Sequence, residues 1–121
     1  MSNQWKVICN VADIPVLGAR VVQRAAQPDV AIFRNSDDAI FALLDRCPHK
    51  GGPLSQGIVF GERVACPLHN WSIELASGCA LSPDEGCTQK FSVKVEDGQI
   101  SLDLNELNAP ALDINTQVST A

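Results

Sequence analysis

The sequence predicts an all-β fold in a single domain, and three observations predict it. Apolar and β-branched residues come in short runs, turn residues punctuate those runs at close intervals, and the stretch 91-FSVKVEDGQISLDL-104 alternates about an Asp97-Gly98 pair. A chain of 121 residues is the size of one domain with a core of its own.

The elements follow in order. Trp5 to Cys9 is a first strand, and Asn10 to Pro15 fits one short helical turn with Asn10 as its cap. Ala19 to Arg24, Val30 to Arg34 and Ile40 to Leu44 are brief strands bounded by Gly18, Gln27-Pro28 and Asn35-Ser36-Asp37-Asp38, a spacing that suits a meander. Trp71 to Leu75 resumes the pattern, followed by a turn at Ser77-Gly78 and a polar loop through Pro83, Asp84, Glu85 and Gly86. In the last pair of strands Phe91, Val93 and Val95 share one face and Ile100, Leu102 and Leu104 share another, joined by the two-residue Asp97-Gly98 turn. The domain is expected to span residues 1–104, with 105–121 as a C-terminal tail broken by Pro110.

Composition excludes several classes of function. The net charge of -5 argues against nucleic acid or an anionic membrane as a partner, because phosphate binding needs clustered cationic side chains. No run is long enough to span a bilayer, and Met1 to Val11 offers no apolar signal-peptide segment. The expected compartment is the cytoplasm, where five cysteines point to thiols, metal ligation or catalysis before disulfides.

The chemistry concentrates in 47-CPHKGGPLSQGIVFGERVACPLHNW-71, which holds both histidines of the chain, each beside a cysteine. Cys47 and His49 form C-x-H; Cys66 and His69 form C-x-x-H. Two thiolates and two imidazoles make a complete ligand set for a transition metal. Zinc accepts such a set, but the nucleic-acid finger orders two cysteines before two histidines and adds a basic helix; here the order alternates and the surroundings are acidic and strand-like. A Rieske [2Fe–2S] centre, with two cysteines on one iron and two histidines on the other, fits the arrangement. Pro48 and Pro67 stiffen the loops, and Gly51, Gly52 and Gly57 let backbone pass close to a bulky inorganic core.

At these residues the chain resembles a known family. C-P-H-K-G-G-P-L followed by C-P-L-H-N-W is similar to the Rieske-type domain. The wording of 16-VLGARVV-22, 40-IFALLDRCPHKGGPLSQGIV-59, 66-CPLHNW-71 and 83-PDEGC-87 resembles the small subunits of assimilatory NAD(P)H-dependent nitrite reductases, up to about Leu104. The resemblance implies a Rieske fold, an antiparallel β barrel or sandwich with a small cluster-binding subdomain at about 45–75. It further implies that Cys47 and Cys66 ligate the buried iron, and His49 and His69 the outer one.

The same comparison bears on potential. Respiratory Rieske proteins carry an extra cysteine in each loop, forming a disulfide over the cluster, where this chain has Gly52 and Leu68. Their serine and tyrosine, which hydrogen-bond the cluster and a cysteine sulfur, correspond to Trp71 and Ile73. Fewer hydrogen bonds stabilise the reduced cluster less, so a low-potential centre near about −150 mV is expected.

The other candidates have plainer roles. Cys9 is expected to be a small core residue, Cys79 and Cys87 to be thiols flanking the polar loop, and Asp84-Glu85 a solvated pair. Arg46 and Lys50 beside the first ligand pair serve docking or solubility equally well.

One [2Fe–2S] cluster passes one electron at a time, and the chain shows no nucleotide-binding glycine motif and no second ligand set. The resemblance therefore implies an electron-transfer subunit without a complete active site. Its partner would be a large sirohaem flavoprotein subunit that carries the FAD, sirohaem and [4Fe–4S] groups and reduces nitrite to ammonium. The rival readings are a free-standing Rieske-type ferredoxin of an aromatic-ring dioxygenase and a zinc-stabilised interaction module.

Overall fold

The computed structural model describes residues 5–24, 27–47, 53–67, 71–81, 86–103 and 106–107. The described residues form strands β1 (Trp5–Asn10), β2 (Gly18–Arg24), β3 (Gln27–Arg34), β4 (Ile40–Leu44), β5 (Ile58–Phe60), β6 (Arg63–Ala65), β7 (Ser72–Glu74), β8 (Lys90–Phe91), β9 (Val93–Glu96) and β10 (Gln99–Asp103). They assemble into three sheets, ordered β1-β10-β9, β2-β3-β4-β8 and β5-β6-β7, and every strand pairing is antiparallel. The all-β architecture expected from the sequence is the one observed.

β3 and β4 have no solvent face along most of their length. Val30, Ile32, Ala42 and Leu44 pack with Phe91, Ile100, Leu102, Cys9 and Ile14 in one core cluster. Their neighbours Ala31, Phe33 and Leu43 point the other way, into a second cluster with Leu54, Val59, Val64, Ile73 and Leu75. Since successive strand residues alternate between faces, a strand buried on both reads as continuously apolar, as 30-VAIF-33 does. The four-stranded sheet is thus the partition between a base, closed by the β1-β10-β9 sheet, and a smaller unit built on β5-β6-β7.

Local chemistry sets the corners. Asp97 and Gly98 both have positive φ, 52° and 77°, the geometry of the two-residue turn expected between β9 and β10. The helical turn expected after β1 is a 3-10 turn over Val11–Asp13, with the Asn10 N–H donating to Asp13 Oδ2 at 2.9 Å. Arg34 on β3 holds it down, donating through Nη1 to the Ile14 and Val11 carbonyls at 2.7 and 3.2 Å.

Two features depart from the expected layout. The stretch 91–96 is not one strand: Phe91 belongs to β8 in the four-stranded sheet, whereas Val93 begins β9 in the other sheet. Ser92 is the corner, its N–H and Oγ both donating to the Glu106 carboxylate at 2.7 and 2.9 Å. The second is a hairpin, β5-β6, within the region read only as ligand loops; it turns at Gly61-Glu62, with Gly61 at φ 57°.

Beyond Asp103, Glu106 takes part in that corner, and Leu107 is buried in the first cluster with its carbonyl accepting from Arg24 Nη1 at 3.1 Å. The rest of the expected tail lies outside the described residues. No helix among the described residues is long and apolar enough to cross a membrane.

Candidate metal centre

The smaller unit presents two loops, one leaving β4 and one leaving β6. Cys47 lies just past β4 and is 2% exposed; Cys66 lies just past β6 and is 1% exposed. Both belong to the second core cluster, with Leu54, Val64 and Ile73 among their companions, and neither is in a disulfide. Strands of two different sheets, β4 and β6, thus bring two thiols into one apolar cluster.

Each loop is tied at its foot. The Cys66 N–H donates to the Trp71 carbonyl at 2.7 Å, closing the second loop through backbone alone. The first is closed by Asp45, whose two carboxylate oxygens accept from the N–H and Oγ of Ser55 at 2.7 and 2.8 Å. Gly57, one step before β5, runs so close to β6 that a Cβ there would collide with the Ala65 carbonyl oxygen. Only glycine fits there, and the close approach is to the backbone of β6 rather than to the inorganic core that the sequence suggested.

His49, Lys50, Pro48, Gly51 and Gly52 of the first loop, and Leu68 and His69 of the second, lie outside the described residues. So do Pro83, Asp84 and Glu85 of the polar loop. Arg46 is exposed beside Cys47. Ile73 is fully buried in β7 and Trp71 is half-buried at the strand's entrance.

Cys9 is a core residue of the first cluster, as expected; burial pushes its thiol pKa up, with Arg20 opposing the rise and Asp13 adding to it. Cys79 and Cys87 differ from expectation, for they form a disulfide. The two face each other across an isolated antiparallel bridge, Cα atoms 3.9 Å apart, and the hydrogen bonds lie on either side of them, from Thr88 N to Gly78 O and from Ala80 N to Gly86 O. That is a non-hydrogen-bonded pair, the register in which opposed side chains come closest. An argument from compartment alone does not see this register.

A model of the Rieske [2Fe-2S] domain matches residues 4–92. The chain belongs to the Rieske [2Fe-2S] domain family. A 3-phenylpropionate/cinnamic acid dioxygenase ferredoxin subunit of Photorhabdus laumondii is 37% identical over 101 residues, covering 82% of this chain and 93% of that one. Among solved structures, a complex of reduced oxygenase and oxidised ferredoxin in carbazole 1,9a-dioxygenase aligns with a TM-score of 0.74 at 25% identity, over 84% of this chain and 94% of that one. A protein assigned as the small subunit of an NADPH nitrite reductase aligns with a TM-score of 0.70 at 28% identity, over 82% of this chain and 97% of that one.

The cofactor of this Rieske chain is one [2Fe–2S] cluster. The described residues fit it: two thiols, buried together at the roots of two pinned loops, are the sulfur half of the ligand set that such a cluster needs. When bound, the cluster supplies one-electron transfer. The chain supplies an apolar floor that keeps water from the cysteine side, and two loops whose feet stay fixed.

Proposed function

We propose that the chain is the electron-transfer small subunit of an assimilatory NAD(P)H nitrite reductase. In this reading Cys47 and Cys66 ligate the inner iron and His49 and His69 the outer one, within a cluster-binding subdomain at about 45–75 and a domain spanning 1–104. The partner is a large sirohaem flavoprotein subunit carrying FAD, sirohaem and a [4Fe–4S] cluster, and the setting is cytoplasmic. Neither nucleic acid nor membrane takes part.

The observation that carries the reading is similarity over the whole domain. The sequence wording that includes 83-PDEGC-87 resembles the nitrite reductase small subunits, and the solved small subunit aligns over 97% of its length. A separate observation favours a second reading: the 37% identity to a dioxygenase ferredoxin subunit supports a mobile carrier that feeds an oxygenase. The two share ligands and fold, so the partner decides.

The deciding experiment is affinity purification of the tagged chain from its native cells. A stoichiometric complex with a sirohaem flavoprotein, and nitrite reduction that stops when this chain is removed, are the expected results. Retrieval of an oxygenase, with nitrite reduction intact, would transfer the proposal to the second reading. Film voltammetry adds an internal check: Ile73 and Trp71 bring no serine or tyrosine hydroxyl toward the cluster, so a midpoint near about −150 mV is expected. A clearly positive midpoint contradicts it.

A further inference from the structure

We propose that Asp45 is a positioning residue for the iron–sulfur cluster, acting through Ser55 as a latch on the first ligand loop; the proposal rests on the assignment of Cys47 as a ligand. Both Asp45 oxygens are committed to a single residue, one accepting the Ser55 N–H at 2.7 Å and the other the Ser55 hydroxyl at 2.8 Å. The Asp45 N–H is itself anchored on β3, donating to the Asp29 carbonyl at 2.9 Å. One end of the loop is therefore tied to the central sheet and the other end is tied to the first. Between them lies the chain that carries Cys47.

Ser55 sits in a 3-10 turn over Leu54–Gln56. Its neighbour Leu54 is fully buried in the cluster of apolar residues that holds both ligand cysteines. Latch and floor thus act on adjacent residues: Leu54 sets the depth of the loop and Ser55 its span. A charged acceptor with two donors is stronger than a neutral pair, and the site is half-buried, so water competes poorly for either donor.

The carboxylate has an electrostatic consequence as well. Reduction adds a negative charge to the cluster, and Asp45 lies two residues from Cys47. A fixed negative charge there disfavours reduction.

The test compares wild type with Ser55→Ala, Ser55→Thr and Asp45→Asn, and with Ile100→Ala as a control that weakens the other core cluster. Iron release to a ferrous chelator and the midpoint potential are measured at a temperature where circular dichroism shows every protein folded. Loss of groups that orient ligands typically weakens metal retention 10–100-fold, so Ser55→Ala and Asp45→Asn should release iron about tenfold faster. Ser55→Thr keeps the hydroxyl and should stay near wild type, and Asp45→Asn alone should also raise the potential. Equal release from Ser55→Ala and wild type would overturn the latch. So would a release from Ile100→Ala as fast as that from Ser55→Ala, since lost stability would then account for the effect. Wild type purified without iron and acid-labile sulfide would instead overturn the ligand assignment itself, and the proposal with it.

Discussion

Cys47 and Cys66 arrive from different strands yet lie in the same apolar cluster, floored in part by Ile73, which is fully buried on β7. The cysteine side of the site is therefore built out of core packing. Shortening Ile73 to alanine leaves a cavity directly in that floor. The expected cost is about 2–5 kcal/mol of unfolding free energy, read by denaturant titration, together with faster bleaching of the visible cluster absorbance in air. A variant that lost stability but bleached at the wild-type rate would show that Ile73 does not shield the cysteine pair and would contradict the shared floor.

The Cys79–Cys87 disulfide makes a counting prediction. Of five cysteines, Cys9, Cys47 and Cys66 are outside the disulfide. Unfolded, metal-free protein kept from reductants should expose three reactive thiols, rising to five after reduction. In the chain-entropy account, opening a ring of this size should lower stability by roughly 2–3 kcal/mol. Five reactive thiols before reduction would show that the pair is not joined.

The Ser92–Glu106 corner ties the end of the described chain to the passage between the two larger sheets. Both bonds lie at the surface, so the charge-assisted bonus is reduced by solvent and Glu106→Ala is expected to cost about 1 kcal/mol by urea titration. Hydrogen exchange should report the loss locally, with faster exchange at Ser92 and little change in β3. A uniform increase would argue that the corner holds the whole domain.

The buried Cys9 thiol gives a pH dependence. Its folded pKa is raised above the unfolded value of about 8.5, so the neutral thiol is favoured by folding. The associated stability is fully present below that value and is lost as pH climbs from it through the raised folded pKa. Stability profiles of wild type and Cys9→Ala should run parallel below about pH 8 and diverge above it, with wild type falling faster. Parallel profiles up to strongly alkaline pH would contradict the shift.

Much of this was legible in the sequence, for stated reasons. The β9-β10 hairpin declared itself because Asp97-Gly98 adopts the positive φ angles that few other pairs tolerate. Of the proposed ligand pattern, the described residues reach only the cysteine half: Cys47 and Cys66, singled out because each stands beside a scarce histidine, lie in one core cluster, while His49 and His69 lie outside the described residues. The β5-β6 hairpin was hidden because Gly57 and Gly61 fall within a stretch whose glycines suit cluster loops equally well. Ser92 gave no warning that it breaks a strand, since the partner that makes it a corner is Glu106, remote in sequence. The Cys79–Cys87 pairing depends on strand register, which spacing alone does not determine.

Everything proposed for this chain depends on a Rieske-type [2Fe–2S] cluster held by two cysteines and two histidines. Iron and acid-labile sulfide analysis, with EPR of the dithionite-reduced protein, tests it most directly. Two iron and two sulfide per chain are expected for a [2Fe–2S] centre, with a spectrum showing mixed nitrogen and sulfur ligation that disappears in Cys66→Ser. Zinc alone, in protein produced with ample iron, would contradict it.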